Sequence, residues 1–267
     1  MSLPRLPRII THRCGGSLAP ENTLAGLRAS ISRGYPGVEF DVMLSGDGTP
    51  CLIHDETLER TTNGHGRVAR TPDAELFALD AGAGERIPRL DEALALCAEH
   101  GLWVNLEIKP ARGQDVRTAE TVAAHLPTLW PGTDNILLSS FSIPALKVLQ
   151  QRLPHYRRGL LYDTPPADWL HELRALEASS LHCAAKAVSD ALLATASAHA
   201  VPLLCYTVNQ PQAAQELRRA LQRLHQGLLH GHRPGQDRQG RLRRVRHVHA
   251  LPGRLPPRQR DRGRLGP

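Results

Sequence analysis

Aromatic residues are scarce in this chain: three Phe, three Trp and four Tyr among 267 residues. So few rings cannot build the stacking platform of a single-stranded nucleic-acid binder. No apolar run reaches the roughly 18 residues of a membrane-crossing helix. The opening Met1-Ser2-Leu3-Pro4-Arg5 lacks the apolar stretch of a secretory signal. The five cysteines, Cys14, Cys51, Cys97, Cys183 and Cys205, are odd in number, widely spaced and form no C-x-x-C. They read as reduced thiols of a cytoplasmic protein and exclude a disulfide framework or a cysteine zinc site. Acidic residues are nearly absent from the end of the chain. Residues 218–267 hold fourteen Arg against only Asp237 and Asp261. The net charge of +7 therefore belongs to the tail, and the body is mildly acidic.

Hydrophobic residues make up 41% of the chain, and its length is near the ~250 residues of a (β/α)₈ barrel. Short apolar runs alternate with helical periodicity. Residues 8–14 read as a strand. Residues 22–34 read as a helix with Asn22 as N-cap and Gly34 at the end. Residues 38–44 and 50–54 are strands around the turn Gly46-Asp47-Gly48. Residues 55–90 look irregular. Strands at 103–109, 136–141, 157–162, 181–188 and 202–208 then alternate with helices at 91–100, 115–126, 143–153, 167–178, 190–199 and 211–221. Alternating βα units imply a parallel sheet, and this many imply a barrel.

Charged residues gather at strand ends. His12 and Arg13 close the first strand, and His54 closes the short strand after the turn. Glu39 and Asp41 are two apart, as are Glu107 and Lys109, so each pair shares a strand face. Inward-facing charges are costly unless paired or bound to a metal. The three carboxylates Glu39, Asp41 and Glu107 form an all-oxygen donor set suited to one hard divalent cation, Mg²⁺ or Ca²⁺. The alternative is a salt-bridge layer with Arg13 and Lys109. His12 and His54 suit a general acid/base pair. The loop Cys14-Gly15-Gly16-Ser17, leading into Pro20-Glu21-Asn22-Thr23, is a candidate phosphate cradle at a helix start. Metal, histidines and cations together point to phosphoryl-ester chemistry.

Six ordered segments carry a resemblance. They are His12-Arg13 with Ala19-Pro20-Glu21-Asn22-Thr23, residues 38–42 (VEFDV), residues 53–64 (IHDETLERTTNG), residues 106–110 (LEIKP), residues 138–141 (LSSF) and residues 206–209 (YTVN). In this order they resemble the glycerophosphodiester phosphodiesterase family, the short bacterial cytosolic type, from about residue 8 to about residue 217. The resemblance implies a (β/α)₈ (TIM) barrel over residues 1–221 with a small insertion, residues 46–90, after the second strand. It implies hydrolysis of a small-molecule glycerophosphodiester to glycerol 3-phosphate and an alcohol. The neighbouring glycerol hydroxyl is the implied nucleophile, through a cyclic phosphate. Carried over, Glu39, Asp41 and Glu107 bind the metal, and His12 and His54 are the acid/base pair. Arg13 and Lys109 contact phosphate, with Glu21 beside the site and Phe141 lining it. Cys14 stands where the family usually has glycine.

The likeness fails at the C-terminus. Family members close the barrel with a short strand ending in Thr-Asp, whereas this chain reads Leu229-His230-Gly231-His232. The permitted codons CTT-CAC-GGA-CAC, shifted by one base, read Phe-Thr-Asp. The expectation is a frame change near residues 218–227 and an aberrant, incomplete last βα unit. Residues 222–267 would then be an Arg/Gly/Pro-rich tail, out of frame or disordered, leaving the strands near Ile9 and Leu204 with unpaired edges. The other readings are an inactive or unstable product, or a genuine basic tail that binds nucleic acid.

Overall fold

A computed structural model describes residues 6–217, Arg219 and residues 248–250. Its strands are β1 (Ile9–Ile10), β2 (Gly37–Leu44), β3 (Pro50–Leu52), β4 (Trp103–Ile108), β5 (Ile136–Ser140), β6 (Arg157–Tyr162), β7 (Ser180–Ala184), β8 (Leu203–Val208) and β9 (Val248–Ala250). They form one sheet in the order β1-β9-β8-β7-β6-β5-β4-β2-β3. β2 and β3 are an antiparallel hairpin, and the other strand pairs are parallel. The sheet curls far enough for β1 to meet β2. Thr11 N donates to Gly37 O at 3.0 Å, and Glu39 N donates to Thr11 O at 2.8 Å. The result is a TIM-barrel-like α/β fold.

The helices are α1 (Leu24–Ser32), α2 (Asp73–Leu76), α3 (Leu90–Glu99), α4 (Asp115–Leu129), α5 (Ile143–Arg152), α6 (Trp169–Ala175) and α7 (Asp190–Ala198), and residues 211–217 are also helical. The start of α1 differs from the sequence expectation. Thr23, not Asn22, is the N-cap, and its hydroxyl accepts from Gly26 N at 3.2 Å. Such a cap contributes about 1 kcal/mol. Asn22 sits in the left-handed region at φ 55, which asparagine tolerates, and its amide is used at the site described below.

The main core packs the strands against the helices through Phe40, Leu106, Leu138, Leu160 and Leu181 with Leu94, Val122, Leu146 and Leu149. A small apolar floor, Ile10, Trp103, Leu137 and Leu204, is drawn from four different strands. The strand period of two then places His12, Asn105, Ser139 and Tyr206 one step nearer the C-terminal ends. Residues 55–90 are less irregular than expected. Cys51, Ile53, Leu58, Val68, Leu76, Ala81 and Ile87 form a separate buried cluster with Met43 and Ala111. All five cysteines are buried and free.

The edges of β1 and β8 are not left unpaired. Ile9 pairs with Val248 and Ile10 with His249, while Cys205 pairs with Val248 and Val208 with Ala250, with a register shift between. Residues 248–250 lie within residues 241–251, the longest run of residues 222–267 free of Gly and Pro. It is the stretch of the tail best able to supply ladder donors. Residues 220–247, where the frame change and the aberrant last unit were expected, lie outside the described residues, as do residues 251–267.

Candidate active site

A cavity of about 450 Å³ opens at the C-terminal ends of the strands, lined on one side by His12, Arg13, Glu39, Asp41, Glu107 and Lys109. That volume is within the usual range for small-molecule sites. Glu39 and Asp41 come from β2, and Glu107 from β4, where Asp41 and Glu107 are direct register partners. Ligand oxygens of the three acids all lie within 4.8 Å of one another. All three are buried. Arg13 N donates to Glu39 Oε2 at 2.8 Å, and Asn22 Nδ2 donates to Asp41 Oδ2 at 2.9 Å. Glu39 Oε1 and Asn105 Oδ1 remain buried without a protein donor.

Cations stand beside the acids, at long range. Lys109 Nζ is 3.4 Å from Glu107 and 3.6 Å from Asp41, and Arg13 Nε is 3.8 Å from Asp41. These contacts realise part of the salt-bridge layer, but they do not neutralise the acids. Burial, then the charges of Asp41 and Glu107, drive Glu39 well above the usual carboxylate range. Burial and Asp41 push Glu107 up to about 7, against the pull of Lys109. Burial would lower Lys109, but the surrounding carboxylates outweigh it and raise it.

The two histidines differ in support. Lys109 Nζ lies 2.6 Å from His54 Nε2, and Asp55 Oδ1 lies 2.6 Å from His54 Nδ1. An ammonium can only donate, so Nε2 accepts and the ring proton sits on Nδ1 toward Asp55. Burial lowers His54 first, Lys109 adds to this, and Asp41 and Asp55 oppose it. His12 has Nε2 3.8 Å from Glu39 Oε2, and burial brings it down to about 4. Both rings are therefore neutral at neutral pH.

The Asp55 carboxylate continues into a network. Arg60 donates from Nε and Nη2 to Asp55, and from Nη1 and Nη2 to Glu21 at 2.9 and 2.7 Å. Glu21 also accepts from Arg13 Nη1 at 3.0 and 3.1 Å. Burial alone would raise Glu21, but Arg60 and Arg13 hold it below its ordinary value. Glu21 thus stands behind Arg13 and does not line the cavity. Phe141 does line it, with its ring 5.8 Å from Lys109 Nζ.

The glycine loop differs from its reading as a phosphate cradle. Gly15 N donates to Arg13 O and Gly16 N to His12 O, at 2.9 and 2.8 Å. At the start of α1, Ala25 N is taken by Glu85 and Gly26 N by Thr23. Those donors are used internally. Gly15 is needed because a Cβ there would lie 2.7 Å from the backbone of Gly26. Arg13 and Cys14 both have positive φ, 51 and 70. Cys14 thus holds a conformation that glycine adopts without strain, while its side chain is fully buried.

Acids and bases gathered at the C-terminal ends of parallel strands define an enzyme of TIM-barrel-like fold. Comparison with known proteins narrows the class. Residues 12–230 match the model of the glycerophosphoryl diester phosphodiesterase family. The chain is 31% identical over 223 residues to a glycerophosphodiester phosphodiesterase of Caldanaerobacter subterraneus, covering 79% of this chain and 90% of that protein. Among solved structures it is similar to an Oleispira antarctica phosphodiesterase in complex with the product sn-glycerol-3-phosphate, with a TM-score of 0.81, 32% identity, and coverage of 92% of this chain and 93% of that one. A Silicibacter pomeroyi protein at 21% identity and a TM-score of 0.76, covering 93% and 91%, shares the fold. The chain belongs to the glycerophosphodiester phosphodiesterase family and is an enzyme of that class.

Several residues of the site escaped the sequence reading. The adjacency of His54 and Asp55 was a visible signal for a carboxylate behind the histidine. Arg60 and Tyr206 stood inside the segments of residues 53–64 and 206–209 without a role assigned to them, and Asn105, Asp163 and His182 carried no local signal. His182, bonded to Ser180 Oγ at 3.0 Å, lies where a Cβ on Gly159 would meet its ring at 2.5 Å.

Proposed function

We propose that this chain hydrolyses glycerophosphodiesters to glycerol 3-phosphate and an alcohol, using one divalent cation, Mg²⁺ or Ca²⁺. The observation that carries the reading is the buried carboxylate trio with two neutral histidines and two cations around one cavity. The trio fits a hard cation: its donors are all oxygen, and Glu39 Oε1 lacks a protein donor. Glu39, Asp41 and Glu107 would hold the ion, which would polarise the phosphoryl oxygens and stabilise developing charge.

The protein groups divide the remaining work. Arg13, braced by Glu21, and Lys109 bind the phosphate. Lys109 turns from His54 Nε2 to the anion, freeing that nitrogen. His12, held neutral by burial, takes the proton of the attacking glycerol hydroxyl. His54, neutral at rest, takes a proton from solvent on the Nε2 that Lys109 vacates; Asp55 at Nδ1 supports the imidazolium so formed, which then gives that proton to the leaving alkoxide. Phe141 covers the apolar side of the substrate. Opening of the resulting cyclic phosphate by water uses the same pair in reverse. We read the curled sheet as a (β/α)₈-type barrel with seven of its parallel strands in residues 1–221 and the remaining one, β9, from Val248–Ala250, and residues 46–90 as an insertion with its own small core. The test is release of glycerol 3-phosphate from a glycerophosphodiester, with and without chelator. Release that chelator leaves unchanged refutes the metal. No release with either cation refutes the function.

A further inference from the structure

The segment that carries His54 also carries an arginine that reaches both halves of the site. Leu58 anchors this segment. Its side chain is fully buried in the small core of the insertion. Its N–H donates to Gly66 O and its carbonyl accepts from Thr62 N, both at 3.0 Å. Arg60, two residues on, forks onto two carboxylates. Nε donates to Asp55 Oδ2 and Nη2 to Asp55 Oδ1, the latter at 3.0 Å. Nη1 and Nη2 donate to the two oxygens of Glu21 at 2.9 and 2.7 Å. Each carboxylate has a second partner. Asp55 Oδ1 lies 2.6 Å from His54 Nδ1, and Glu21 accepts from Arg13 Nη1 at 3.0 and 3.1 Å. The order is Arg13, Glu21, Arg60, Asp55, His54, with charges that alternate from Arg13 to Asp55. Single exposed ion pairs contribute little, but forked arginine–carboxylate geometry within a network is the exception.

A carboxylate shared between two partners pulls less on each. Glu21, drawn to Arg60, leaves more of the Arg13 charge for an anion in the cavity. Asp55, drawn to Arg60, pulls less on the His54 ring. Arg60, more than His54, holds Asp55 well below the usual carboxylate range. Resting on the hydrolase reading above, we infer that Arg60 is a positioning residue that couples the phosphate grip of Arg13 to the proton affinity of His54. Arg60 does not line the cavity, so it acts through Glu21 and Asp55 and not on the substrate. Other groups also face His54: Lys109 after β4, Asp41 on β2, and Arg13 and His12 after β1. All of them are kept in a variant of Arg60.

The experiment changes Arg60 to Met, which removes the charge, and to Lys, which keeps it. An ammonium is a point donor and cannot fork onto two carboxylates. Two readouts are taken in chelator without substrate: NMR titration of the His54 ring, and calorimetric binding of inorganic phosphate. Arg60→Met should raise the His54 pKa by about 1, because Asp55 then acts on the ring alone. It should weaken phosphate binding by about tenfold, the size of one charge-assisted hydrogen bond. Arg60→Lys should recover less than half of either change. If Arg60→Met moves neither quantity, or only one, the coupling is overturned. Full recovery of both by Lys overturns it too, because charge alone would then be enough. Asp55→Asn gives a second route should Arg60→Met fail to fold. It releases Arg60 to Glu21, so phosphate should bind roughly threefold more tightly, part of a hydrogen bond's worth. Unchanged or weaker phosphate binding in Asp55→Asn overturns the inference. Neither readout needs turnover. If the unaltered chain cleaves no diester, the hydrolase reading fails, and the two measurements still decide the coupling.

Discussion

The two sides of β2 are held very differently. Toward β4, six of the eight residues of β2, all of them buried, face the six residues of β4 in an unbroken register from Gly37–Trp103 to Val42–Ile108. Toward β1 there is one bridge, Thr11 to Val38, and β1 itself has two strand residues. Its other neighbour, β9, has three residues and meets β8 with a register shift. The acids sit on the long, regular side. Their mutual repulsion and desolvation are costs that a firm ladder can hold against. His12 and Arg13 hang from the short side, where a backbone turn with two positive φ values and the Arg13–Glu21–Arg60 network replace ladder bonds. The regular region fixes charge in place. The irregular region positions His12 and Arg13 at the cavity wall.

The largest expected effect tests whether the short side holds its histidine as firmly as the network holds the other. His12→Ala and His54→Ala should each lower kcat by about 10²–10⁴-fold, as for a positioned proton donor or acceptor. The double variant should lose less than the product of the two, because the pair acts as a unit. Near-full turnover in either single variant would make that ring structural.

On the regular side, Asp41→Asn keeps shape and removes one charge. Loss of a ligand's neighbour typically costs 10–100-fold, so loss of the ligand's charge should cost at least ~10²-fold. High concentrations of Mg²⁺ or Ca²⁺ should recover part of it. Unchanged activity in this variant would refute the cation assignment.

The weak side can be broken directly. A chain ending at residue 247 lacks β9 and exposes ladder groups on β1 and β8. Each unpaired buried group costs ~1–3 kcal/mol, within a total near 5–15 kcal/mol. Differential scanning calorimetry should give a melting point lower by roughly 5–10 °C, with activity falling because β1 carries His12 and Arg13. An unshifted melting point would show that β9 contributes nothing to the closure.

The smallest effect sharpens the electrostatic half of the comparison. Without a divalent cation, Glu107 is raised from its ordinary range to about 7, and Glu39 is also raised well above its ordinary range, by burial and by the neighbouring acids. A folded-state pKa above the unfolded one stabilises the protonated form. That stability is full below about 4.5 and is lost as pH rises through 7. The melting point in chelator should therefore fall between pH 5 and pH 8, and a bound cation should flatten the slope. A profile with the same slope in both conditions would argue that the trio binds no cation.

Much of this was legible in the residues. The apolar runs fixed β2, β4, β5, β6 and β8 to within a residue or two, because a buried parallel strand is a dense apolar segment between turn residues. Spacing of two placed Glu39 with Asp41, and Glu107 with Lys109, on common faces, since strand geometry enforces it. The ordered motifs of residues 12–209 carried the family. What could not be read was anything made by contacts far apart in sequence. Thr23 displaced Asn22 as the cap because Asn22 is drawn to Asp41, 19 positions away. The glycine loop's donors are spent on His12 and Arg13 carbonyls, which no glycine count reveals. Residues 46–90 gained a core only when their scattered Leu, Ile and Val met.

The sequence by itself determined the strand–helix alternation and the supply of acids and histidines at strand ends, because both follow from local period and residue type. The tertiary structure alone decided that Arg60 would join Glu21 to Asp55 across 39 and 5 positions. It alone set Asp163 beside Tyr206, 43 positions on, and brought Val248–Ala250 between β1 and β8. Curling a sheet brings together strand ends that the chain visits far apart, and local propensity carries no information about which ends will meet.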